Sequence, residues 1–271
     1  MTDGSIFSLI IGVSVGLAAG YLGSLMVLEK MALVGDALSH VALPGLALGI
    51  LFNFNPFFGA FAFLFGSAVA IWQLGRITKL SFETLVGATF TLALAIGILL
   101  IRDLDALEAA LFGDLTVVSL LDAILGVIVS IIAISLTKVI YDKLVLGMIS
   151  EELATSTGIN VARTNLLYLL LVSLVVAIGI KITGTLLVGF LVVTPAAAAR
   201  NVSSNLFRYS LLSSIFAAAS ACAGVLLSNY LTITPGPLVV LSGVAIFVTA
   251  VFIKWLSKFP SVSLRSRVGS T

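Results

Sequence analysis

The chain has 271 residues, of which 60% are hydrophobic and 10% charged, with a formal net charge of +2 and a mean hydropathy of +1.25. A helix crosses about 30 Å of hydrocarbon with about 20 apolar residues, so this composition predicts an all-α, polytopic transmembrane helical bundle and leaves no stretch that reads as a separate soluble domain. Nucleic-acid binding is not indicated, and the single cysteine, Cys222, excludes an intramolecular disulfide and gives no support to redox chemistry.

In chain order the predicted spans run from Ile6 to Leu28, Leu33 to Phe52, Phe57 to Gly75, Glu83 to Ile101, Ser119 to Ile140, Asn165 to Ile182, Thr185 to Ala199, Leu206 to Tyr230 and Pro237 to Leu256. The expected number is eight or nine. The first cation is Lys30, so the N-terminus lacks the basic start of a cleaved signal peptide and the first span is expected to be retained. That span carries Gly12, Gly16 and Gly20 at GxxxG spacing, which admits close helix approach either within the chain or at a subunit interface. Asn53 and Asn55 before Pro56 read as turn residues. The seventh span is short and contains Thr194-Pro195, where proline removes a backbone donor, so a broken or half-spanning helix is expected there. Beyond Lys258 the chain is Ser-rich and basic; residues 259–271 read as a disordered cytoplasmic tail to a transmembrane domain over residues 1–258.

Basic residues orient the bundle. With nine crossings and the N-terminus outside, Lys30, Arg76, Lys79, Lys138, Lys143, Arg163, Arg200, Arg208, Lys254, Lys258, Arg265 and Arg267 fall on the cytoplasmic side, leaving Arg102 and Lys181 outside. The outer segment Arg102 to Asp114 then carries Asp103, Asp105, Glu108 and Asp114, and Tyr141 to Arg163 becomes the longest internal polar loop.

The chemistry concentrates in the second span. His40, the sole histidine, follows Asp36 by four residues, so carboxylate and imidazole share one helix face and can reach the same small cation. Ionisable groups at membrane depth are costly and mark function by default. Imidazole with carboxylate suits zinc, manganese or ferrous iron, yet two ligands leave such an ion under-coordinated. Either a second copy of the chain on a two-fold axis or water would complete the shell. The bland reading is that His40 hydrogen-bonds a neighbouring helix and Asp36 caps a helix start. Glu83 reads first as an acid favoured by the positive end of its helix and second as a guide for an exiting cation. Thr194 and Pro195 could shape the pathway, or mark only a packing kink. The sequence has no GxxxxGK[ST] phosphate loop, no HExxH and no GxSxG. Catalysis by this chain is therefore not expected, and uphill transport would draw on an ion gradient or on another polypeptide.

The run Met31 to Gly45, containing Gly35-Asp36-Ala37-Leu38-Ser39-His40, resembles the signature of the zinc, manganese and iron permeases of ATP-binding-cassette (ABC) importers. Glu83-Thr84-Leu85-Val86-Gly87, Leu111-Phe112-Gly113-Asp114, Glu151-Glu152-Leu153-Ala154 through Gly158-Ile159, Leu186-Leu187-Val188 through Thr194-Pro195, and Gly236-Pro237 are similar, in order, to further segments of that family. One departure stands out: Ile149 and Ser150 occupy places where the family often has an aromatic residue and an aspartate. The resemblance implies a homodimeric permease in a prokaryotic plasma (inner) membrane. It also implies two cytoplasmic ATP-binding subunits that engage Glu151, Glu152, Leu153, Ala154 and Gly158, and an extracytoplasmic metal-binding protein that delivers the ion. No permanently bound cofactor is expected; the metal is the cargo. The alternative from another class is a stand-alone secondary transporter or channel in which Asp36 is a protonatable coupling site.

Overall fold

The structure, a computed structural model, describes residues 3–78, 80–101, 111–112, 119–231 and 233–258. The acidic segment Asp103, Asp105, Glu108 and Asp114 and the tail 259–271 lie outside the described residues. Among the described residues all regular structure is helical: α1 (Asp3–Leu28), α2 (Ala32–Leu51), α3 (Pro56–Ile77), α4 (Phe82–Leu100), α5 (Leu120–Ile149), α6 (Glu151–Ser156), α7 (Val161–Val202), α8 (Leu206–Leu231) and α9 (Pro235–Lys258). Eight of these contain stretches long and apolar enough to cross a membrane, and Val188–Val202 is a shorter apolar helix within α7.

α7 is two legs. Gly184 interrupts it with φ 72° and ψ 175°, a backbone conformation that glycine adopts without a Cβ penalty. Beyond the break Val188 packs against Gly179, although nine residues of continuous helix would hold them about 13 Å apart. The chain therefore doubles back, and residues 185–202 form the predicted seventh span as an antiparallel leg. The interruption falls at Gly184 rather than at Pro195, which is buried inside unbroken helix, as Pro44 is within α2.

α5 runs nine residues past the expected end of its span. No proline occurs before Ser150 and the helix passes through Gly147, so Asp142 and Lys143 continue it as solvated positions and most of the expected 141–163 loop is helical.

α1 lies at the centre, and its glycines meet α8. Gly12 faces Ala221, a Cβ on Gly16 would lie 2.9 Å from the Ala217 carbonyl oxygen, and Gly20 abuts Ser213. The descending partner numbers mark an antiparallel crossing. Hydroxyls finish the seam: Ser213 Oγ donates to the Gly20 carbonyl, and Ser24 Oγ donates to Ser210 Oγ at 2.9 Å. Small residues permit the approach, and the hydroxyls replace hydrogen bonds that lipid cannot offer. The GxxxG pattern thus serves an intramolecular contact. On another face of α1, Tyr168 Oη donates to the Leu22 carbonyl at 2.7 Å, tying in the first leg of α7.

Helix exposure separates inside from outside. The apolar window of α2 is 78% buried, against 28% for α3 and 22% for α4. Large apolar side chains such as Phe58, Leu92, Leu99 and Phe252 cover the outer surface, where acyl chains solvate them.

Candidate metal centre

The turn into α2 is tight. The Met31 N–H donates to the Met26 carbonyl and the Lys30 N–H to that of Val27, with Lys30 in the left-handed region at φ 63°. This Schellman-type end of α1 starts α2 within three residues and sets Asp36 near its first turn.

Asp36 and His40 face each other as their spacing requires. His40 Nε2 lies 4.0 Å from Asp36 Oδ1, and the two side chains are 10% and 52% exposed respectively. That gap is too long for a hydrogen bond but within the span of two metal–ligand bonds of about 2.0–2.2 Å each. His40 Nδ1 is buried and has no hydrogen-bond partner among the described residues. Among these residues no hydrogen bond joins His40 Nδ1 to a neighbouring helix. The His40 ring meets Phe90 of α4 edge-on, with centroids 5.2 Å apart. Ser39 Oγ donates to the Asp36 carbonyl at 2.6 Å, holding the local turn.

Glu83 belongs to the same neighbourhood. Ser81 caps α4, its Oγ accepting from the Thr84 N–H, which places Glu83 in the first turn where the helix dipole favours an acid. Asp36 and Glu83 both line a cavity of about 190 Å³ whose wall includes Val86 and Phe90. Among the described residues no cluster of three or more His, Cys, Asp or Glu side chains is gathered for a metal.

Thr194 is half-buried and Pro195 buried in the second leg of α7, and neither joins the described lining of that cavity. The second leg reaches the site elsewhere, through Gly189, which packs on the Asp36 backbone. A glycine among apolar neighbours in Val188-Gly189-Phe190 was the available signal for that close approach.

Glu151, Glu152, Leu153 and Ala154 come together on α6. Ser150 Oγ accepts from the Leu153 N–H, so the serine at the departing position performs the cap. The helix closes with Ile159 N–H donating to the Ala154 carbonyl and Gly158 N–H to that of Thr155, Gly158 taking φ 84°. Ala154 is fully buried, whereas Leu153 is 50% exposed. Beside α6 lies a cavity of about 400 Å³ walled by Glu29, Trp72, Arg76, Glu151, Asn165 and Tyr168. Burial there pushes the Glu29 carboxyl up to about 7. Neither Glu29 nor Trp72 stood out in the sequence, since each needs its distant neighbours to acquire a role.

Eight helices long and apolar enough to cross a membrane, with a carboxylate and an imidazole on one face of α2, make this a multi-pass membrane protein. The model of the ABC 3 transport family matches residues 5–254, and the chain belongs to that family. It is 32% identical to the manganese transport system membrane protein MntC of Listeria innocua, covering 90% of this chain and 88% of the relative. It is also 32% identical to the high-affinity zinc uptake system membrane protein ZnuB of Haemophilus influenzae, covering 90% and 95%. Among solved structures, PsaBC from Streptococcus pneumoniae in complex with Fab superposes with a TM-score of 0.79 at 30% identity, over 91% of this chain and 90% of the other.

Proposed function

We propose that residues 1–258 form the membrane-spanning permease subunit of an ATP-driven importer that carries a divalent transition-metal ion into the cytoplasm, with Asp36 and His40 as transient ligands inside the membrane. The observation that carries this reading is the His40 Nε2 to Asp36 Oδ1 geometry, 4.0 Å across one face of α2, with no partner for His40 Nδ1 among the described residues. Relatives named for manganese and zinc transport support the same class of cargo.

One chain supplies half a coordination shell. A second copy related by a two-fold axis would bring two carboxylates and two imidazoles to one ion, and the half-exposed Asp36 leaves its side open to that partner. Glu83, across the shared cavity, would receive the ion as it leaves. With no phosphate loop in this sequence, ATP binding and hydrolysis belong to separate cytoplasmic subunits docked on α6, where the exposed Leu153 offers an apolar contact. An extracytoplasmic binding protein would deliver the cargo. No resident cofactor enters this reading.

Metal-isotope uptake into vesicles holding the permease with its ATPase tests it. His40→Ala and Asp36→Asn should assemble at normal levels and lose uptake, because each removes a ligand. Wild-type rates in His40→Ala at matched protein levels would sink the assignment.

A further inference from the structure

Near the end of α3, Trp72 Nε1 donates to the Ala162 carbonyl oxygen at 2.7 Å, across ninety positions of sequence. Ala162 lies in the first turn of α7, immediately after the corner that follows α6. Arg76 stacks over the Trp72 ring at 5.0 Å from its centroid, capping the indole on the outside. A tryptophan near a membrane boundary ordinarily leaves its N–H among lipid headgroups. Here the ring instead walls the cavity beside α6, and its N–H is spent on protein.

The other end of α3 is fastened to the site-bearing helix. Gly59 and Gly45 meet backbone to backbone, so that a Cβ on either would overlap the other's carbonyl, and Gly49 abuts Pro56. Gly45 follows His40 by five residues on α2. Between the two attachments α3 is uninterrupted helix from Pro56 to Ile77. Close-packed interfaces of this kind move as units rather than deform continuously.

We infer that Trp72 is a positioning residue that makes α3 follow the α6–α7 corner and so conveys movement of α6 to the segment of α2 carrying Asp36 and His40. This rests on the reading of α6 as the ATPase docking element. Without the indole N–H the corner can move while α3 stays behind. Ion binding and ATP binding are then intact but unlinked.

The test uses the permease assembled with its ATPase subunits in vesicles and a delivery protein loaded with Mn(II). Trp72→Phe keeps an aromatic ring under Arg76 while removing the donor together with the second ring of the indole. Basal hydrolysis, the KM for ATP and Mn(II) affinity without nucleotide should match wild type, while stimulation by the loaded delivery protein falls about fivefold, in line with the worth of one hydrogen bond. A second measurement reads distance instead of stimulation. Spin labels at Gln73 and Thr157, both exposed, in a Cys222→Ala background should keep one separation with and without trapped ATP, and diverge on ATP binding once Trp72→Phe is added. Full stimulation in Trp72→Phe, or a label separation that changes with nucleotide in the otherwise wild-type chain, overturns the inference. If Ala154→Pro abolishes stimulation while Trp72→Phe retains it, this inference fails alone. Stimulation that survives Ala154→Pro removes the docking reading itself.

Discussion

Gly189 rests directly on Asp36: a Cβ at position 189 would lie 2.5 Å from the Asp36 Cα and 2.9 Å from its Oδ1. The second leg of α7 therefore fixes where the carboxylate sits. Gly189→Ala must push α2 away or tilt it, a form of overpacking that costs about 1–3 kcal/mol. Its melting temperature in detergent should fall and its Mn(II) or Zn(II) affinity should weaken. Gly66→Ala, on α3 with open space around the added methyl, should leave both unchanged. Equal behaviour of the two variants would show that the Gly189 contact does not constrain the site.

Ligand chemistry at position 40 should alter preference as well as rate. Thiolate is softer than imidazole and favours zinc over manganese, so His40→Cys should raise the zinc-to-manganese uptake ratio, whereas His40→Asp should lower it. Protons would compete with metal for both proposed ligands. Uptake by the wild-type chain should accordingly fall as the compartment facing the open site is acidified. Paired isotope uptake at several pH values measures both effects.

The short helix α6 should be indispensable for coupling and dispensable for folding. Proline at Ala154 removes a backbone donor that reaches the Ser150 carbonyl and breaks the turn that presents Leu153. Glycine at Leu153 removes the exposed apolar contact. Either change should abolish stimulated ATP hydrolysis by the assembled transporter while membrane insertion, read by protease protection, stays normal.

Glu29 predicts a pH slope in stability. Its carboxyl rises to about 7 in the folded protein from an ordinary value of 4.5, through burial. The folded state therefore holds the proton more tightly than the unfolded state. Its contribution is fully present below about 4.5 and is lost as pH climbs toward about 7. Thermal unfolding in detergent across that window should show wild-type stability declining relative to Glu29→Gln, whose amide does not titrate. Parallel curves for the two proteins would contradict the shift.

Orientation follows from the distribution of Lys and Arg. Cysteines placed singly in a Cys222→Ala background should label from outside at Asp103 and Asp105, and only after permeabilisation at Arg163 and Ser270. Strong outside labelling at Ser270 would invert the assigned topology.

Helix number, the Asp36–His40 face and the place of α6 were all legible in the chain, because each depends on local spacing. Hydrocarbon thickness sets span length, the 3.6-residue turn puts positions 36 and 40 on one side, and Ser150 with Gly158 punctuates α6 at both ends. Contacts between distant segments were not legible, because an apolar helix tolerates many partners and period alone does not choose among them. The pairing of Gly12, Gly16 and Gly20 with α8, the reversal at Gly184 rather than at Pro195, the seating of Gly189 on Asp36 and the Trp72 bond to Ala162 were decided by packing across long sequence separations. Buried backbone in a membrane must find its complement inside the protein. The position of that complement is a property of the assembled bundle, not of any one span.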